Sequence, residues 1–185
     1  MYKRILILII LILVLNKKKR SVCFMAHAKE VLSDQLLANA DDPSWYMPFK
    51  QATEGVSEVD AFRKLDANVK SISEITQHLL YWNETWQERY RASRLDVVPR
   101  MSSNDESFVV PEGRDFKTLR EDLLKVLLRW QEDLAPDKLE RAVDGFDEQA
   151  KWWQVIANVT THNAYHIGQI VYIRKLQDNW IESTH

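Results

Sequence analysis

The stretch Thr160-Thr161-His162-Asn163-Ala164-Tyr165-His166-Ile167-Gly168-Gln169-Ile170-Val171-Tyr172-Ile173-Arg174 sets two histidines four residues apart. On an α-helix that offset is about one turn, about 6 Å of rise, so both imidazoles project from one face. Two imidazoles so placed can share a divalent ion at about 2.0–2.1 Å when a third ligand arrives from elsewhere. The chain has five histidines, at 27, 78, 162, 166 and 185. His27 is close to the N-terminus and His185 is the last residue, which leaves His78. The expected metal site is therefore His78, His162 and His166.

The histidine stretch sits in a helix expected from near Lys151 to about Gln177, with Val155, Val159, His162, His166 and Ile170 facing inward and Gln169 at the edge. His78 falls within the apolar stripe Ile72, Ile75, Leu79, Trp82, Trp86 of a helix running to about Arg91. Ser71 and Glu74 form a capping box at its start, the hydroxyl taking the Glu74 amide and the carboxylate reaching back. A third helix begins after Asp115, presents Phe116, Leu119, Leu123, Val126, Leu127, Trp130 and Leu134, and stops at Pro136. The first helix starts at Ala28 with Val31, Leu32, Leu36 and Leu37 and ends near Asp41-Asp42-Pro43. A short helical turn capped by Ser57 runs to about Leu65. Residues 92–114 carry no periodicity and read as a long connection, and 137–150 as an acidic, irregular loop. These elements predict an all-α protein, a four-helix bundle with one long crossover connection, the architecture that builds metal sites from facing helices.

Bulk composition limits the function classes. The chain has 185 residues, one domain by length, with a net charge of −2. Residues 1–24 carry six basic side chains and no acidic one, leaving 19 basic against 27 acidic residues, a net −8, for the remainder. An acidic body without a basic patch argues against nucleic acid as a partner. The single cysteine, Cys23, rules out an internal disulfide, so any thiol chemistry in the body needs an external thiol.

The N-terminal segment reads differently from the rest. Ile5 to Leu15 is an apolar run of eleven residues, about 16 Å as a helix and half of a ~30 Å hydrocarbon core. Lys17-Lys18-Lys19-Arg20 follows where a signal peptide would place small residues. The alternatives are a membrane-associating anchor over residues 5–15, a signal segment, and an upstream extension with Met25 as the functional start. The charge change favours the last. Residues 1–24 are thus an extension outside the fold, and 25–185 the domain.

Three neutral ligands leave a coordination position open, where water or an external thiol can bind and lose its proton more readily. Tetrahedral zinc is the default for such a set, and nickel or iron also accepts imidazoles. Trp82, four residues after His78, can wall the pocket or pack in the core. Asn158 and Gln169 flank the histidine pair as candidates to orient the ligand imidazoles or to contact substrate.

Two segments taken together, Ser-Ile-Ser-Glu-Ile-Thr-Gln-His-Leu-Leu-Tyr-Trp at 71–82 and Thr-His-Asn-Ala-Tyr-His-Ile-Gly-Gln-Ile-Val-Tyr-Ile-Arg at 161–174, resemble the DinB-like (DinB/YfiT) superfamily. Residues 45–49 and 152–154 add to the resemblance, which spans about 26–182. It implies a four-helix bundle, a zinc or nickel ion on His78, His162 and His166, a homodimer and a bacterial cytoplasmic setting. It implies, for activity, a transferase using a low-molecular-weight thiol. The alternatives are a metal-dependent hydrolase and a non-catalytic metal-binding stress-response module.

Overall fold

A computed structural model describes residues 27–43, 45–146 and 149–180. The apolar run 5–15, Cys23 and Met25 lie outside the described residues. Among the described residues, seven α-helices and one 3-10 helix follow in order: α1 (Ala28–Ala40), α2 (Phe49–Ala52), α3 (Glu58–Phe62), α4 (Ile72–Ala92), η1 (Asn104–Phe108), α5 (Phe116–Asp133), α6 (Pro136–Leu139) and α7 (Trp152–Leu176). The fold is all-α, and α1, α4, α5 and α7 are its long helices. No helix among the described residues is long and apolar enough to cross a membrane.

Side chains fix where the helices start. Ser71 Oγ accepts from the Glu74 amide at 3.2 Å while Glu74 Oε2 accepts from the Ser71 amide at 2.8 Å, a complete capping box for α4. Asp115 accepts from the Thr118 amide at 2.8 Å to open α5, and Ser57 from the Asp60 amide at 3.1 Å to open α3. Helix α3 ends earlier than the expected Leu65, because Arg63 turns to an extended ψ of 123°. On α1 the buried face is Leu32, Leu36 and Ala40. Val31, expected inward, is exposed.

Helix α1 packs on α5 and α7, and α4 packs on the same two, so the four close a ring. Contacts along each seam give directions. Tyr90 meets Trp152 while His78 meets His166, so α4 and α7 are antiparallel. Ile72 and Ile75 share a core cluster with Leu119 and Leu123, and Tyr90 shares another with Trp130, so α4 and α5 run parallel. Parallel neighbours require the chain to travel back the length of α4, about 30 Å for its 21 residues. This is the physical reason for the crossover between them. It is not featureless: it carries η1, which packs on α4. The loop after α5 is likewise partly ordered, with α6 and isolated bridges Arg94–Asp144 and Ala142–Lys151.

The interior has two apolar clusters. One gathers Ile72, Leu79, Leu119, Leu123, Ile167 and Ile170, the other Leu36, Tyr90, Trp130, Trp152 and Ile156. Between them, α4 and α7 contribute a belt of polar residues: His78, Asn83, His162, Asn163 and His166. All are buried except the half-buried His162.

Candidate metal centre

The three histidines converge across the α4–α7 seam. Their ligand nitrogens all lie within 4.8 Å of one another. His78 Nε2 is 3.0 Å from His162 Nε2, and the His166 ring centroid is 4.6 Å from each of the other two. Ligand atoms on a tetrahedral ion with 2.0–2.1 Å bonds stand about 3.3 Å apart, so the rings need only small adjustments to hold one.

Hydrogen bonds fix which nitrogen points inward. The Ser107 hydroxyl donates to the Asn104 carbonyl at 2.6 Å. A lone pair of the same oxygen accepts from His78 Nδ1, also at 2.6 Å. His78 is thereby held as the Nδ1–H tautomer with the Nε2 lone pair turned toward His162. Gln169 Oε1 accepts from His166 Nδ1 at 2.7 Å and does the same for that ring. Such outer partners orient ligand imidazoles and raise their basicity. Phe108 stacks on His78 with centroids 3.9 Å apart and planes within 8°. The donor set therefore fits a divalent ion: three nitrogens aimed at one point, two of them tautomer-locked.

Burial disfavours the charged form of each ring. It pushes His78 down to about 3, helped by the neighbouring His166, His162 and Lys70 charges, and His162 down to about 4, helped by His166. Burial also lowers His166, against the bond from Gln169. All three are neutral near pH 7 and need shed no proton to ligate. The unfolded chain titrates these groups near pH 6.5. Between that pH and the folded values, the unfolded state binds more protons. Stability of the metal-free protein is then complete above about pH 6.5 and falls as pH drops toward 4, by at most about 1.4 kcal/mol per pH unit for His78 and less for half-exposed His162. Urea titrations of chelator-treated protein from pH 4.5 to 7.5 measure this; a flat profile contradicts the buried neutral triad.

A cavity of about 560 Å³ opens beside the imidazoles. Trp82, Trp86, Phe108, Phe146 and Asn158 line it with the three histidines. Trp82 and Trp86, placed in a core stripe from sequence, are half-buried walls of this space, and the Trp82 indole donates to Asn104 at 3.2 Å. Asn158 is exposed at the rim, and its amide donates to Gln154 O on its own helix at 3.2 Å. Gln169 reaches His166 and not the cavity. Trp130 and Trp152 are core.

Several residues here escaped sequence reasoning. Asn104, Ser107 and Phe108 lie in the aperiodic crossover, where no spacing marks them. Asn83 and Asn163 form a reciprocal amide pair, Asn83 Nδ2 donating to Asn163 Oδ1 at 2.8 Å and Asn163 Nδ2 to Asn83 Oδ1 at 3.1 Å. The Trp130 indole also donates to Asn83 Oδ1, at 3.0 Å. The available signal was an Asn at an inward position on each helix, Asn83 four residues after Leu79 and Asn163 next to His162. Replacing Ser107 with Ala frees His78 to flip tautomer, and metal affinity should fall about 10–100-fold. Competition with a chromophoric chelator reads this; unchanged affinity contradicts the orienting role of Ser107.

The mycothiol-S-transferase family profile matches residues 47–179. Among solved structures, a DinB-like protein from Bacillus subtilis aligns over 83% of this chain and 96% of its own, with a TM-score of 0.59 and 14% sequence identity. That likeness shows a DinB-like fold. No curated protein matches the chain.

Proposed function

The chain belongs to the mycothiol-S-transferase family of DinB-like proteins, and on that premise we propose that it is a metal-dependent transferase joining a low-molecular-weight thiol to an electrophilic small molecule. The observation that carries this reading is the convergence of three neutral imidazoles on one wall of an accessible cavity. A divalent ion held there, zinc or nickel, supplies Lewis acidity that lowers the pKa of a thiol at its remaining position.

The protein's own part is positioning. His78, His162 and His166 hold the ion, with Ser107 and Gln169 fixing two of the rings. Trp82, Trp86 and Phe146 present aromatic faces that displace water around the reacting groups and hold an apolar substrate. Asn158 offers a hydrogen-bonding amide at the rim. A carboxylate base beside the ion would favour a hydrolase, and the described lining of this cavity contains none. A non-catalytic module would suit a sealed site, whereas this one opens into about 560 Å³. Assay of metal-loaded protein with a panel of reduced thiols and an alkylating electrophile tests the proposal. No rate above the uncatalysed one with any thiol overturns it.

The protein in this reading is a cytoplasmic homodimer of a bacterium. Support for the dimer comes from α7, whose Tyr165, Tyr172 and Leu176 recur at helical spacing and are exposed by 64%, 64% and 52%. Light scattering should give twice the chain mass, and a monomer at micromolar concentration removes the dimer.

A further inference from the structure

A second cavity, of about 740 Å³, adjoins the histidine cavity. Trp82, Trp86, Asn104 and Phe146 line both, so the two share a wall. The second cavity also contains Arg89, Arg94 and Arg100. Arg94 is already neutralised, with Asp96 accepting two hydrogen bonds at 2.6 and 2.8 Å. Asp144 lines the cavity too and adds a favourable charge to Arg94.

Arg89 is different. It is only 8% exposed, its Nη2 donates to Val98 O at 3.3 Å, and its Nε has no hydrogen-bond partner. No carboxylate among the described residues pairs with it. Its guanidinium lies over the Trp86 ring, 5.0 Å from the centroid. Besides burial, the groups that bear on its charge are the Tyr81 hydroxyl and a second cation, Arg100. The other buried arginine, Arg174, shows what a structural guanidinium looks like here. At 3% exposure it donates from Nη1 to Ala52 O, from Nη2 to Asn179 O and from Nε to Asn179 Oδ1. Burying a cation without such partners is costly, and an oxyanion from outside supplies the missing acceptors.

We propose that the second cavity is the seat of an anionic group, carboxylate or phosphate, on the thiol or its acceptor, bound by Arg89 with Arg100 beside it while the reactive end of the molecule reaches the histidines. The inference rests on the transferase reading only in taking the histidines as the reacting end. Arg89 lies eleven residues beyond His78 on α4, about 16 Å of helix rise. The ligand is therefore elongated, with its charge far from its reacting atom. Trp86, shared by both cavities and stacked under Arg89, carries the middle of such a molecule.

Binding can be read without catalysis, from quenching of tryptophan fluorescence in the full chain purified with its metal. The phosphate probe is 4′-phosphopantetheine, against pantetheine, which has the same thiol arm and lacks the phosphate. The carboxylate probe is glutathione, against its diester. At least one anionic probe should bind about 10–100-fold tighter than its neutral counterpart, and the pair that does so identifies the oxyanion. Arg89→Gln should erase that preference. If Arg89→Gln does not fold by circular dichroism, the exposed Arg100→Gln carries the test, with an expected reduction of about 3–10-fold. Equal binding of anionic and neutral probes, or a preference that survives in a folded Arg89→Gln, overturns the proposal. An intact preference in a protein that conjugates no thiol removes the transferase reading and leaves the anion seat standing.

Discussion

His162→Ala is expected to remove both the metal and thiol conjugation while leaving the bundle folded. His162 is the least buried of the three ligands, and its ring faces the cavity. Truncation therefore opens space next to existing space and leaves no sealed void. Two histidines remain, one on each of two helices, and two imidazoles hold a divalent ion far more weakly than three. Loss of an outer partner alone lowers affinity or activity 10–100-fold, so loss of a ligand should lower kcat/KM by about 10³-fold or more. The metal-free variant should melt at or above the temperature of metal-free wild type below pH 6.5, because one half-buried neutral imidazole has gone. Steady-state kinetics beside metal-free melting curves separate the effects. Full activity in His162→Ala would contradict the ligand assignment.

Asn83→Ala is expected to give the largest loss of stability of any single change in the polar belt. Asn83 is fully buried and ties α4 to α7 through the paired amide with Asn163, and to α5 through the Trp130 indole. Its removal strands the Trp130 N–H and both polar ends of the Asn163 side chain. At about 1–3 kcal/mol per stranded group, partly relieved by relaxation, the cost is about 3–5 kcal/mol. At about 2–4 °C per kcal/mol for a chain of this size, the melting temperature drops by about 10 °C. Asn163→Ala should cost less, since Trp130 keeps its acceptor. The double variant should be more stable than the sum predicts, with a coupling of about 0.5–3 kcal/mol. Thermal melts of the three variants check this, and a loss below about 1 kcal/mol for Asn83→Ala contradicts the belt's role.

The sequence carries the helices well because their signals are local. Ser71 with Glu74, Asp115 with Thr118, and the apolar stripes of α4, α5 and α7 are written within a few residues of where they act. His162 and His166 are legible for the same reason, as spacing on one helix. Helix direction around the ring is not local. Nothing in the stripes of α4 and α5 says that these helices run parallel; the length of 92–114 foretells a crossover, but not that it lays Ser107 and Phe108 on His78. A stripe also names the inward face without naming what lies opposite. Trp82 and Trp86 share the face of Leu79, yet meet a cavity where Leu79 meets core. Asn83 reads from sequence as a glycosylation sequon discounted by its helix. Its real partners lie 80 and 47 residues away, beyond any periodicity.

The most direct test of the histidine centre is metal analysis of full-length protein purified without chelators or a metal-binding tag, wild type beside His78→Ala. The expected result is about one equivalent of zinc or nickel in wild type and almost none in the variant. Wild-type protein that holds no divalent ion, even after incubation with zinc and nickel salts, would reduce the three histidines to buried core residues, and the proposed transferase chemistry would fall with them.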